Sequence, residues 1–343
     1  MDAITIRPRP TIRSTISNDK FAGNVPLSHT LTVETSQVWD RCVFESQDQN
    51  MKLEKLQKRY RVTDGKHFRL KDYDPADTHG LKSELKPLAK EMLAKGVEEL
   101  ARLQDILAAQ DRWALLLIFQ AMDAAGKDGT IKHVMSGVNP QGVQVSSFKV
   151  PSSEERDHDF LWRTMKRLPE RGDIGIFNRS YYEEVLVVRV HPELLATEKL
   201  PDQLVTKKIW QERFEDINAF ERYLTRNGVA VRKFFLHVSK KEQKRRFLER
   251  LDTAEKNWKF SAADVKEREY WDDYQAAYED MIRNTATEHA PWYVVPADNK
   301  WFTRLVVAAA VADALESLQL SYPKLDEKQK AELLKARKQL NQE

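Results

Sequence analysis

The uninterrupted apolar run Leu115-Leu116-Leu117-Ile118-Phe119 passes at once into Gln120-Ala121-Met122-Asp123-Ala124-Ala125-Gly126-Lys127-Asp128-Gly129-Thr130. A strand without polar alternation is buried on both faces, which requires helices above and below the sheet. Small residues, a Gly-Lys pair and a helix-compatible segment then follow. That is the order of a buried strand, a phosphate-cradling turn and a helix N-terminus. The strict pattern G-x-x-x-x-G-K-[ST] is missed twice: Ala121 stands at the first glycine, and Asp128 at the metal-binding hydroxyl, with Thr130 two residues late. The bland alternative is an ordinary strand-to-helix turn, and the segments that follow weigh against it.

Residues 1–50 lack a sustained period and read as a flexible arm. Over 51–110 a helical extension is expected: a short helix at 51–60, a turn-rich stretch from Phe68 to Thr78, then a long helix from Leu81 to Ala109. Leu85, Leu88, Met92, Leu100, Leu103 and Leu107 would form its buried stripe, with Pro87 a kink or a fresh start. Further strands are expected at 143–148, 174–177, 229–238 and 292–295, alternating with helices that include 201–226 and 301–318. The natural solution is α/β, a parallel sheet covered by helices on both faces. The phosphate-binding module spans 111–320, and a charged tail 321–343. Residues 185–213 look like a helical excursion able to close over a site as a lid.

Charge narrows the partners. The net charge is only +3 although 32% of residues are charged, so no global basic field points to nucleic acid. There is no 18-residue apolar run to span a membrane, and the N-terminus lacks a signal-peptide core. Cys42 is the sole cysteine, which fits a reducing compartment. A cytoplasmic location is the expectation.

Phosphoryl transfer asks mainly for anions held close together and for charge stabilised on the transferring group. The backbone of Ala124, Ala125, Gly126, Asp128, Gly129 and Thr130 can bind phosphate oxygens, and Lys127 adds a mobile cation. Asp123 would repel a bare phosphate unless it holds Mg²⁺ directly or through water. The 174–177 strand ends in Asn178-Arg179-Ser180-Tyr181-Tyr182, where open α/β sheets bind ligands. Arg179 there can bridge two phosphates, and Asn178 and Tyr182 are candidate contacts. Ser152 and Glu155 have capping-box spacing. On the helix they open, Arg156, Arg163 and Arg167 fall within about 20° of one line, with Asp159 on an adjacent face. Lys132, Arg189, Lys208 and Arg213 complete the candidate substrate contacts. The block Lys240 to Arg250 reads either as a hydrated helix face or as an anion-binding patch.

Three segments together make a specific resemblance: Ala121 to Thr130, Asp157-His158-Asp159-Phe160-Leu161-Trp162-Arg163, and Phe177-Asn178-Arg179-Ser180-Tyr181-Tyr182. With Lys256-Asn257-Trp258-Lys259-Phe260 and Ala290-Pro291-Trp292-Tyr293, the chain from about Arg69 to Leu305 resembles the polyphosphate kinase 2 family. The resemblance implies a P-loop kinase fold with a helical lid over a polyphosphate channel. It also implies transfer of the terminal phosphoryl to nucleotides with Mg²⁺, and assembly as a homodimer or homotetramer. Asp123 and Lys127 match the family's Walker A Asp and Lys, and Arg179 its Walker B Arg. Where the family commonly has Asp before that Arg, Asn178 stands here, as in the class III subgroup that takes both AMP and ADP. Two rivals remain at this stage: an ATP-dependent nucleoside monophosphate kinase on the same fold, and a non-catalytic anion- or RNA-binding module using Lys240 to Arg250.

Overall fold

The computed structural model describes residues 56–342, so the expected arm over 1–50 and the start of the 51–110 extension lie outside the described residues. The described residues all belong to one compact unit. In chain order its main elements are β1 (Arg61–Val62), α1 (Lys86–Gln110), β2 (Ala114–Gln120), α2 (Lys127–Val134), β3 (Val143–Ser147) and β4 (Ile174–Asn178). They continue as α3 (Ile209–Arg226), β5 (Val229–His237), α4 (Lys240–Asp252), α5 (Trp271–Thr285), β6 (Trp292–Pro296), α6 (Lys300–Glu316) and α7 (Glu327–Leu340).

The sheet runs β1-β6-β5-β2-β4-β3, parallel except for the antiparallel β1 at one edge. β2 is interior and buried at every position, with Leu117 opposite Ile176 of β4 and Arg232 of β5. Each fully buried Leu, Ile or Phe contributes about 1.5–3 kcal/mol of burial free energy, which fixes this strand in the centre. Phe119 stacks on Phe234 at 4.9 Å and Phe234 on Tyr293 at 5.3 Å, carrying the core across three strands. The chain leaves β2 toward β3 and β4 on one side and returns to β5 and β6 on the other. The carboxyl end of β2 is therefore the topological switch point, where such sheets bind ligands.

Successive strand residues face opposite sides, and β5 uses this to hold both helical layers. Arg232 reaches Ser317 beyond α6, whereas Lys233 pairs with Glu221 of α3. α6 packs on α1 and α2; α3 packs on α5. Pro87 sits in the first turn of α1, where a missing N–H costs nothing, so it starts the helix and does not kink it. Leu88 departs from the expected stripe: it is exposed.

The expected single helix through Arg156, Arg163 and Arg167 does not exist. Ser153–Arg156 and Trp162–Met165 are separate turns, the first closed by the expected Ser152–Glu155 capping box. Between them the His158 ring bonds the Glu154 carbonyl and Asp159 accepts from the Leu161 N–H. These side chains capture backbone groups that a continuous helix would need. The excursion over 185–213 is likewise a series of short turns, and from Ile209 it is already the core helix α3.

Candidate active site

The turn after β2 is shaped by two left-handed residues, Ala124 (φ 59°) and Gly126 (φ 107°). Gly126 adopts this without penalty, while the same region costs an alanine about 1 kcal/mol or more. What holds the turn is a clamp from α4. Arg246, 4% exposed, donates Nη1 to the carbonyls of Ala124 (3.0 Å) and Ala125 (2.6 Å), and Nη2 to those of Ala297 (2.5 Å) and Asp298 (3.1 Å). Gln243 donates to the Asp123 carbonyl at 3.0 Å. The turn's carbonyls are thus engaged on the α4 side. The first N–H groups of α2 have no partners within the helix, and their residues line a cleft.

That cleft has a volume of about 520 Å³ and runs past Lys127, Ser147, Lys149 and Arg179 to Arg250, Lys256, Lys300 and Arg304. The Lys127 ammonium donates to the Ala121 carbonyl at 2.7 Å, folded back into the turn. Loss of solvent, and next the Arg179 charge, push its pKa down. Arg179 is itself left-handed (φ 64°), a conformation that costs a non-glycine residue about 1–3 kcal/mol. Its Nη2 meets Asp123 Oδ1 at 3.1 Å. Asn178 donates Nδ2 to Asp128 Oδ1 at 2.8 Å, tying the end of β4 to the first turn of α2. Glu183 accepts from Gln120 at 2.8 Å.

A smaller cavity of about 190 Å³ opens on the other side of Arg179. Phe148, Val150, Val187, Val188 and Leu194 line it, with Arg156, Arg163 and Glu183 among its polar neighbours. Arg179 and Lys149 are cations common to both cavities.

The structure gathers Asp123, Ala124, Ala125, Gly126, Lys127, Asp128, Gly129, Thr130, Asn178 and Arg179 around the cleft, and Arg156 and Arg163 by the smaller cavity. Arg163 is buried, bonded to the Lys149 carbonyl at 2.8 Å. Several other expected contacts are not brought in. Tyr182 is wholly buried behind the sheet, its hydroxyl on Glu221, so its expected substrate contact is withdrawn. Arg213 is buried against Glu184 and Glu198 and lies over the rings of Phe160 and Trp210, so it packs the core. Arg189 pairs with Asp280 at 2.5 Å. Lys132, Asp159 and Lys208 are exposed and line neither cavity, and Arg167 lines a groove along the outer edge of β3.

Sequence reasoning missed the clamp and the cationic wall. Arg246 lay unrecognised inside a basic block whose exposed members, such as Arg245, pair with Glu242 and Glu249. Lys300 and Arg304 carried a usable signal: they sit one turn apart at the start of the helix after β6, beyond the carboxyl end of a parallel strand. At Asp264, burial and then the Asp123 charge raise the carboxyl pKa, and Arg250 lies 3.8 Å away.

The donor set suits Mg²⁺. Among the described residues no three His, Cys, Asp or Glu side chains gather into a cage. Mg²⁺ needs none, being held commonly by one or two carboxylates with water and substrate phosphates. Asp123, half-exposed in the cleft, offers such a carboxylate.

Comparison with known proteins gives a consistent picture. The family model described as polyphosphate kinase 2 matches residues 84–323. An ADP-polyphosphate phosphotransferase of Rhodopseudomonas palustris is 57% identical over 251 residues, covering 73% of this chain and 87% of that protein. An AMP/ADP-polyphosphate phosphotransferase of Meiothermus ruber is 46% identical over 266 residues, covering 78% and 95%. The crystal structure of polyphosphate kinase 2 from Arthrobacter aurescens TC1 superposes with a TM-score of 0.75 at 42% identity, covering 82% of this chain and 96% of that one.

Proposed function

The chain belongs to the polyphosphate kinase 2 family, and from that premise we propose how its residues divide the reaction. It is a polyphosphate-dependent nucleotide phosphotransferase on a P-loop kinase fold. The observation that carries the division is Arg179, which borders a long cationic cleft on one side and a small, mostly apolar cavity on the other. The cleft suits the donor. Lys127, Arg250, Lys256, Lys300 and Arg304 provide positive charge beyond the turn, as a linear polyphosphate needs. The apolar cavity suits a nucleobase, with Arg156, Arg163 and Arg179 near the acceptor's phosphates.

In this reading the N–H groups of the turn and of α2 cradle the transferring phosphoryl, and Lys127 swings from the Ala121 carbonyl to its oxygens. Arg179 stabilises charge spread between donor and acceptor. The attacking oxygen of AMP or ADP is already ionised, so no strong general base is required. Asp123 would hold Mg²⁺, which when bound supplies neutralisation of phosphate charge; Asp123 also orients Arg179. A lid limited to the short turns ahead of Ile209, a homodimer or homotetramer, and a cytoplasmic location belong to the same proposal. Among the described residues no helix is long and apolar enough to cross a membrane.

The test is direct: the purified chain with polyphosphate, Mg²⁺ and AMP, and no ATP, should form ADP and then ATP. Activity with ATP as the sole effective donor would sink the reading, and a wild type active on ADP alone would refute the class III assignment.

Two predictions arise here. Replacing Lys300 and Arg304 by Ala should raise the Michaelis constant for polyphosphate more than that for nucleotide, by about three- to tenfold. The loss should grow with donor length; equal effects on short and long donors would place the channel elsewhere. Asn178→Asp would set a carboxylate where an amide now donates to Asp128 at 2.8 Å. It also adds negative charge beside Arg179, so AMP turnover should fall more than ADP turnover. An unchanged acceptor ratio would leave Asn178 only as the tie to Asp128.

A further inference from the structure

Directly behind Arg179 lies a polar cluster out of reach of any substrate. Tyr181, Tyr182, Glu221, Lys233 and Thr285 each have 0% exposure. Both tyrosine hydroxyls donate to Glu221 Oε1, at 2.9 Å and 2.7 Å. The Lys233 ammonium donates to Glu221 Oε2 (2.6 Å), to the Tyr182 hydroxyl (2.9 Å) and to the Thr285 carbonyl (2.7 Å). Trp292 Nε1 closes the cluster on the Thr285 hydroxyl at 2.9 Å. The network joins the chain after β4 to α3, β5, β6 and the end of α5.

We propose that this buried network positions Arg179. The left-handed backbone at Arg179 (φ 64°) is a conformation the chain relaxes from unless both flanks are held. On the upstream flank the Arg179 N–H donates to the Phe119 carbonyl at 3.0 Å, continuing the ladder to β2. On the downstream flank Ser180 is extended and buried, and its hydroxyl accepts from the Tyr182 N–H at 3.2 Å. The two tyrosines then enter the core side by side and end on one carboxylate oxygen. An apolar pair in place of Glu221 and Lys233 could fill the same volume, and a buried ion pair is weak evidence for stability. What directional bonds add is a fixed depth and rotation for the tyrosines, and through them for the residue two positions earlier. Arg179 is the group that touches phosphate in the proposed reaction, and the network acts through it.

This inference rests on Arg179 contacting phosphate, so the experiment is a double-mutant cycle in which that premise is one arm. Tyr182→Phe, and separately Glu221→Leu combined with Lys233→Met, are each measured with Arg179 present and in an Arg179→Ala background at high enzyme concentration. With Arg179 present, each network variant should lower kcat by about tenfold or more, because small misplacements of a transition-state contact are costly. In the Arg179→Ala background the same changes should cost less than about twofold, since there is no guanidinium left to misplace. Equal losses in the two backgrounds, or full activity with the network removed, would overturn the proposal and leave a core-packing role. Near-normal activity of Arg179→Ala by itself would sink the site reading first, and this proposal with it. Should the Glu221/Lys233 variant fail to fold, Tyr182→Phe, which removes one hydroxyl, carries the cycle alone.

Discussion

Lys127→Ala and Asp123→Asn should each lower turnover by at least about 100-fold, as expected when a charge contact stronger in the transition state than in the ground state is lost. Neither change should disturb folding much. The Asp123–Arg179 pair is half-exposed at both partners, and such pairs contribute at most about 1 kcal/mol. Lys127 and Ala121, whose carbonyl it bonds, are both only partly buried, so water can take the place of the ammonium there. Both variants should therefore keep the wild-type circular dichroism spectrum and melt within a few degrees of it, roughly what 1 kcal/mol amounts to in a domain of this size. The measurement is initial rate against polyphosphate at saturating nucleotide and Mg²⁺. Near-normal turnover in either variant would remove that residue from the reaction. A collapse in melting temperature would mean instead that the side chain is structural. Asp123→Asn has one further consequence: if its carboxylate holds Mg²⁺, the variant should need more Mg²⁺ for half-maximal activity.

The fold and the site differ in how legible they were. β2, β4, β5 and β6 could be read from their apolar composition because each is buried on both faces, and burial on that scale leaves no room for ambiguity in the sequence. The turn at 121–127 could be read because a left-handed glycine before a helix is a local requirement. Asn178 and Arg179 followed from their place at a strand end. What failed were statements about which way a polar side chain points. Tyr182 lies three residues after Arg179 in the short 3-10 turn Tyr181–Val185, and its hydroxyl is directed by a bond to Glu221, far along the sequence. Arg246 and Arg245 are adjacent and chemically alike, yet one is buried in the turn and the other faces water. Only the packing of α4 against the turn separates them. Likewise the line of Arg156, Arg163 and Arg167 presumed an unbroken helix, and two local side-chain bonds at His158 and Asp159 suffice to break it.

Arg246→Ala should be the most damaging single change at the site, because it removes stability and geometry together. Its guanidinium serves four carbonyls on two segments, the turn at Ala124–Ala125 and the bend at Ala297–Asp298, and its Nε donates to Glu242 at 2.8 Å. Each buried acceptor left without a donor costs about 1–3 kcal/mol, less where water from the cleft can enter. A net loss of about 2–4 kcal/mol is therefore expected, visible as a lower denaturation midpoint. The effect on catalysis has a separate cause. Ala124 is held left-handed (φ 59°) with its carbonyl on Arg246, and once released the peptide can rotate so that its carbonyl faces the phosphates. Turnover should fall by about 100-fold even at temperatures where the variant is fully folded. Arg246→Lys separates the two causes. Lysine keeps the charge, but one compact ammonium cannot span both segments as a planar fork does. It should recover part of the stability and little of the turnover, staying at least about tenfold below wild type. Wild-type turnover in Arg246→Lys would show that a positive charge beside the turn is sufficient, and that the clamp on its carbonyls is not what orders the phosphate cradle.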